Sequence, residues 1–400
     1  MDVKDRFLTY VSFYTTSDED SDASPTTARQ LELTRLLAEE LRSIGLTDAE
    51  ADGFGYVWAH LPANTDTDCG VGFISHVDTA PGPKGEGIRP RVLHYTGGDI
   101  RLSDTVTTAE ADFPSLAAFV GQDVIVTDGT TLLGADDKAG VAEIVSAVEY
   151  LVRHPEIPRK HVAVCFTPDE EVGKGTAHFD FDKFGVKEAY TVDGGVLGEI
   201  EYENFNAAAA VIRVRGVAIH PGSAKNKMKN AVLMACDFVS RLPAAEAPAH
   251  TEGYEGFYHV TDVSGDEEAA TVKLIIRDHD AVKFEKRKAF VADLAAYMNK
   301  VYGGGTFTAE IKDSYYNMRA LIEDGHMHLI ENAKAAMEAA GVTPKIVPIR
   351  GGTDGAMLTY RGLPCPNLSV AGDFFHGVHE IASVQGMEKM RDVIVNLAKL

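Results

Sequence analysis

The chain has 400 residues, more than one hydrophobic core usually serves, so two domains are expected. Hydrophobic residues make up 45% and charged residues 24%, ordinary values for a soluble globular chain. Lys and Arg number 38 against 60 Asp and Glu; the net charge of −22 repels phosphate backbones and anionic bilayers, so neither nucleic acid nor membrane is an expected partner.

The opening residues, Met1 to Phe7, lack the basic-then-apolar layout of a signal peptide, and no apolar run is long enough to span a bilayer. Cys69, Cys165, Cys236 and Cys365 lie far apart with no paired spacing, which indicates neither a disulfide framework nor a thiolate metal site. The cytoplasm is the expected compartment. The acidic, Ser-containing stretch Ser17 to Ser24 reads as loop. From Ala28 to Ile44 the apolar positions Leu31, Leu33, Leu36, Leu37, Leu41 and Ile44 keep a helical rhythm closed by Gly45.

Gly70 to Ser75 is a short apolar strand that runs into His76-Val77-Asp78-Thr79. Thr79 to Asp123 is rich in Gly, Pro and Asp and reads as loop with one short helix at most. Asp123 to Thr127 predicts a strand, Lys138 to Arg153 a helix, and His161 to Phe166 a buried strand ending in Thr167-Pro168-Asp169-Glu170-Glu171. Glu188 to Val192 predicts a strand ending at Asp193-Gly194-Gly195. After Asn206 the pattern changes. Strands Ala207–Arg215, Gly256–Asp262, Ala269–Arg277 and Thr306–Ile311 alternate with helices Asn226–Leu242 and Asp280–Val301 in the split βαβ order of ferredoxin-like domains. An α/β rhythm resumes near Asp324: helix His326–Ala340, strands Lys345–Ile349 and Pro366–Val370, and a last helix Gln385–Lys399. The fold class expected is α/β, a catalytic domain with a mixed sheet flanked by helices in residues 1–206 and 321–400. An α+β domain of residues 207–320 is inserted into it.

Five side chains follow apolar runs: His76, Asp136, Glu171, Asp193 and His376. Singly, each has an ordinary explanation; Asp136 or Asp137 could cap the helix that follows, and Asp193 could serve a turn. As a set they point elsewhere, because open α/β sheets gather ligands beyond the carboxyl ends of their strands. Two histidines and three carboxylates suit Zn²⁺, with Co²⁺ or Mn²⁺ of similar ligand preference. A pair of ions needs a bridging carboxylate, and Asp136 is the choice for it. His379, three residues past His376, leaves the fifth ligand open between the two. Asp78 stands two residues from His76, on the same face of an extended backbone, where it could fix the imidazole. Glu170 and Glu171 point in different directions, so one can ligate while the other takes a proton from water.

The segments Ser75–Thr79, Gly134–Gly140, Asp169–Gly173 and Thr191–Gly195 resemble the motifs of the M20 family of zinc-dependent metallopeptidases. The segments Thr251–His259, Asp313–Arg319 and Arg350–Gly355 resemble its tripeptide-aminopeptidase branch, and the similarity spans essentially the whole chain. The resemblance implies a zinc-exopeptidase-like catalytic domain and an inserted lid or dimerisation domain, hence a homodimer through the latter. It implies two zinc ions per chain, one on His76 and Asp193, one on Glu171 and His376, both on Asp136. The choice of His376 follows from the family motif of His followed four residues on by Glu, here Glu380. It further implies Glu170 as general base, Asp78 as the acid behind His76, His220 as an oxyanion-stabilising residue on the inserted domain, completed by domain closure, and a cis peptide after Asp136. The substrate class would be tripeptides and the role peptide catabolism. A tripeptidase must sense a C-terminal carboxylate, and Arg277 and Arg350 are the candidates to do so. Two rivals stay open: another amide hydrolase of the family, such as a dipeptidase or N-acyl amino acid hydrolase, and a catalytically silent binding homologue.

Overall fold

The computed structural model describes residues 1–399, which form two compact units. The first comprises 1–202, 320–347 and 353 onward, and the second comprises 203–319 with 348–352.

The first unit is built on an eight-stranded mixed sheet. Its strand order is Glu50–Ala51, Val57–Leu61, His161–Thr167, Gly70–His76, Ala189–Gly194, Asn367–Ser369, Glu199–Glu201, Lys345–Ile346. The four strands His161–Thr167, Gly70–His76, Ala189–Gly194 and Asn367–Ser369 run parallel to one another. All four are almost wholly buried, as strands of a sheet covered on both faces must be. One face carries Trp58, Ile74 and Cys165, packed with Phe179, Phe184 and Leu358. The other meets the helix Ala135–Arg153 at Gly140, where a Cβ would stand 2.0 Å from Val192 O and 2.6 Å from Ser75 Oγ. Only glycine permits that approach.

A second sheet, all antiparallel, orders Gly372–Asp373, Ile381–Ser383, Gln122–Val126 and Arg91–Tyr95. Here the structure corrects the sequence reading. The stretch that reads as loop holds the strand Arg91–Tyr95 and a small hairpin of Ile100–Arg101 with Thr107–Thr108; its one short helix is the 3₁₀ helix Pro114–Phe119. Arg91–Tyr95 is mostly solvent-facing, so it lacks the apolar alternation that betrays a strand. A satellite core of Tyr95, Ile100, Leu116, Phe119 and Val124 holds the region together. The short helices Val3–Tyr10 and Asp354–Tyr360 also lie outside the predicted elements.

The second unit has the ferredoxin-like arrangement. Its antiparallel sheet orders Phe257–Gly265, Ala269–Asp278, Asn206–Arg215 and Phe307–Tyr315, with helices Ala231–Ser240 and Ala281–Tyr302 packed on it. Alternate residues Ala208, Ala210, Ile212 and Val214 enter the core, as a half-buried strand requires. The first helix starts at Ala231 rather than Asn226, because Val217 and Lys229 form a bridge and Asn230 caps the helix, accepting from the Leu233 N–H at 3.1 Å. All four cysteines are free, and among the described residues no helix is long and apolar enough to cross a membrane.

Candidate metal centre

Three neighbouring parallel strands deliver His76, the Glu170–Glu171 pair and Asp193 at their carboxyl ends. Asp136 arrives at the start of the helix Ala135–Arg153, and His376 from the turn between Gly372–Asp373 and Ile381–Ser383. The five meet. Asp136 Oδ1 lies 2.8 Å from His76 Nε2, and Asp136 Oδ2 lies 3.0 Å from His376 Nε2. Asp193 Oδ1 is 3.3 Å from His76 Nε2, and Glu171 Oε2 is 2.9 Å from His376 Nε2. One carboxylate therefore touches both imidazoles, with a further acid on each outer side.

His379 turns away, its Nδ1 2.9 Å from Thr108 Oγ1. The Asp136–Asp137 peptide is cis, and His376 sits at φ 58°, a left-handed conformation unusual outside glycine.

Asp78 is completely buried and ties two loops together. Its Oδ1 is 3.3 Å from His76 Nδ1, and its carboxylate accepts the Glu170 and Glu171 N–H groups at 3.0 and 3.2 Å. Three acids that sequence reasoning did not weigh as site residues surround the cluster. Asp137 Oδ2 accepts the His76 N–H at 3.0 Å. Glu380, read only as a marker for His376, is buried and accepts three N–H groups, from Leu133, Gly134 and Asp136, at 2.7, 2.8 and 3.1 Å. Asp354, also buried, accepts from Thr167 Oγ1 at 2.8 Å. Glu380 had its signal in the spacing to His376; Asp137 and Asp354, at helix starts, look in sequence like ordinary capping aspartates.

Crowding of acids sets the electrostatics. Burial pushes Asp193 up to about 6 and Glu171 up to about 7, with repulsion from Asp136 adding to the latter. Glu170 is raised well above the usual carboxylate range by burial and then by Asp193. Burial would also raise Asp136, but the hydrogen bonds from His376 and His76 outweigh it and hold that carboxyl far below its ordinary value. His376 is pushed up to about 11 by its bonds to Asp136 and Glu171. Burial alone would depress His76, yet Asp193, Asp136 and Asp78 raise it.

Such a cluster fits divalent cations. His76, Asp136 and Glu171 offer ligand atoms within 4.8 Å of one another, as do His76, Asp137 and Asp193. Glu171 Oε1 is buried with no hydrogen-bond partner, an arrangement that costs free energy unless something positive meets it. The nitrogen and oxygen atoms that face one another in these pairs are the atoms that would ligate a cation.

The remaining predicted residues belong to the second unit. His220 is exposed, and its Nδ1 accepts the Gly222 N–H at 3.2 Å. Arg277 donates to Ala208 O and Ile276 O at 3.2 and 3.0 Å and lies over the Tyr315 ring. Arg350 is engaged by one loop: it donates to Gly253 O at 2.7 Å, Glu255 O at 3.0 Å and Thr251 Oγ1 at 3.0 Å.

Residues 202–306 match the model of the peptidase dimerisation domain of M20 peptidases. The chain is 50% identical over 402 residues to peptidase T of Halothermothrix orenii, covering 100% of this chain and 98% of that protein. The crystal structure of aminopeptidase PepT from Bacillus cereus superposes with a TM-score of 0.75 at 24% identity, over 99% of this chain and 97% of that one. A dinuclear metal-binding M20 peptidase from Bacillus subtilis gives a TM-score of 0.64 at 14% identity, over 99% and 96%. The fold is thus that of the M20 peptidases, a mixed α/β unit with an inserted dimerisation-type domain. Within that class the chain belongs to the peptidase T family of metallo-aminopeptidases.

Proposed function

We propose that the protein removes the N-terminal residue from tripeptides with the help of two divalent cations, Zn²⁺ first, with Co²⁺ or Mn²⁺ of similar ligand preference. The observation that carries the reading is Asp136, with one oxygen on each imidazole at 2.8 and 3.0 Å. His76 and Asp193 would hold one cation, Glu171 and His376 the other, and Asp136 both. When bound, such a pair polarises the substrate carbonyl and makes water a nucleophile near neutral pH.

The protein's own groups do the rest. Glu170 adjoins a ligand without being one, and its raised proton affinity suits it to accept a proton from the attacking water and return it to the leaving amine. Asp78 receives the proton side of His76 Nδ1, which leaves Nε2 facing Asp136. The Gly222 N–H on His220 Nδ1 places the proton of the neutral ring on Nε2, a donor suited to a developing oxyanion. Arg277 has no ion-pair partner among the described residues, which leaves its charge available for a peptide carboxylate. The match of residues 202–306 to a peptidase dimerisation domain supports a homodimer formed through this unit. The net charge of −22 and the free cysteines agree with a cytosolic peptidase.

A panel of di-, tri- and tetrapeptides and N-acetyl amino acids, assayed with Zn²⁺, Co²⁺ or Mn²⁺, tests the proposal. Selective turnover of tripeptides with a free N-terminus is expected; preference for the blocked amino acids would overturn it.

A further inference from the structure

The N-terminal segment from Phe13 to Gln30 takes no part in the proposed reaction, yet it touches three of the segments that furnish the acid cluster, those beside His76, Asp136 and Glu170. Phe13 O accepts from the Nζ of fully buried Lys138 at 2.9 Å, just past Asp136 and Asp137. The Ser17 N–H donates to Thr79 O at 3.2 Å, beyond His76 and Asp78, and Thr16 Oγ1 lies 2.9 Å from Thr79 Oγ1. The densest contact falls on Asp169, the residue before Glu170.

Asp169 sits at φ 59°, in the left-handed region that disfavours residues with a Cβ. Two residues of the segment occupy its polar atoms. Gln30 accepts the Asp169 N–H on Oε1 at 3.2 Å and donates from Nε2 to Asp169 Oδ1 at 2.6 Å. The Thr26 N–H donates to Asp169 Oδ2 at 2.8 Å, and the Thr26 hydroxyl donates to Oδ1. Asp169, Gln30 and Thr26 are 1%, 0% and 6% exposed, so water does not substitute for these bonds. The turn they secure sends the next two N–H groups, of Glu170 and Glu171, onto the single carboxylate of Asp78. The backbone direction of both glutamates is therefore set at Asp169.

We propose that Thr26 and Gln30 are positioning residues for the reaction. By gripping Asp169 they hold the main chain that aims Glu170, while touching neither substrate nor cation. The inference rests on the reading of Glu170 as the general base. A merely structural anchor would lower stability and leave turnover of the folded, metal-loaded protein untouched. A misaimed base lowers turnover instead, since a displacement of about 1 Å at reacting groups can cost about a hundredfold.

The test compares Thr26→Val and Gln30→Leu with Thr26→Ser, which keeps the hydroxyl, and with Glu170→Gln. Each is assayed at saturating metal for kcat and KM on a tripeptide, for metal content by elemental analysis, and for thermal unfolding. Expected for Thr26→Val and Gln30→Leu is a kcat lowered about tenfold to a hundredfold, with KM within about twofold, full metal content and a folded protein. Thr26→Ser should recover most of the loss. Wild-type kcat in both folded variants would overturn the proposal, as would losses that follow metal content or that Thr26→Ser fails to repair. Should Thr26→Val not fold, Gln30→Met applies the same criterion more gently. Glu170→Gln separates the two layers: full turnover there sinks the general-base reading itself, whereas inactivity there beside unimpaired Thr26→Val and Gln30→Leu sinks only the positioning role.

Discussion

Glu380 holds the backbone of Asp136 in place: its Oε1 accepts the Asp136 N–H at 3.1 Å while its Oε2 accepts those of Leu133 and Gly134. The carboxylate that meets both imidazoles is thus itself fixed from behind by a buried acid four residues past His376. Glu380→Ala leaves three N–H groups without that partner and should cost about 1–3 kcal/mol of stability. It should also weaken metal binding about tenfold to a hundredfold, the usual effect of removing a group that orients a ligand. Metal titration alongside denaturant unfolding checks this; unchanged affinity in the folded variant would show that Asp136 needs no such support.

Asp136→Asn separates the bridging role from that of an outer ligand. Loss of the shared carboxylate should empty both cation positions and abolish activity, whereas His376→Ala should retain close to one ion per chain. Metal analysis after dialysis distinguishes these outcomes, and two tightly held ions in Asp136→Asn would remove the bridge from the scheme.

Acidification should weaken metal binding throughout, because the His376 imidazole holds a proton up to about 11, and more steeply below about pH 7. With folded-state values near 6 for Asp193 and near 7 for Glu171, both raised by burial, the metal-free cluster takes up protons as pH falls through 7 and then 6. Cations must displace those protons, so apparent affinity should drop by about tenfold per pH unit for each proton displaced. Affinity that stays level between pH 8 and 5 would contradict the cluster's assignment as ligands.

The two arginines should behave differently. Arg277→Ala is expected to raise KM for tripeptides about tenfold or more and to leave C-terminally amidated tripeptides unaffected, the signature of a lost carboxylate contact. Arg350 grips Gly253, Glu255 and Thr251. Arg350→Ala should therefore speed hydrogen exchange across 251–255 whether or not substrate is present. Equal loss with acid and amide substrates in Arg277→Ala would exclude it as the clamp.

Gly140→Ala should destabilise although alanine is the better helix former. The added Cβ meets Val192 O at 2.0 Å, Asp137 Oδ1 at 2.5 Å and Ser75 Oγ at 2.6 Å. Overpacking of this kind costs about 1–3 kcal/mol, against a propensity gain of about 0.5–1 kcal/mol. Denaturant unfolding of the metal-free protein reads the balance.

Much of this protein is legible in its order of residues. The strands ending at His76 and Thr167 announce themselves by nearly continuous apolar runs, because a parallel strand covered on both faces has no polar side to show. The inserted domain shows itself by the order of its elements, two strand–helix–strand halves in the ferredoxin-like sequence, although which residues of Asn206–Arg215 face the core is settled only by the sheet. Acids and histidines placed just after such runs follow from where open sheets gather ligands. Solvent-facing pairing leaves no such trace, and Arg91–Tyr95 is of that kind. Short helices with few turns, such as Asp354–Tyr360, carry too little periodicity to register. Which histidine joins Asp136, what Arg350 grips, and that Glu380, Asp354 and Asp169 stand behind the ligands are matters of distance between residues remote in the chain. Only the packed structure brings Gln30 to Asp169 or Glu380 to Leu133, since hydrogen bonds between such distant positions form only after the sheet and its covering helices have closed.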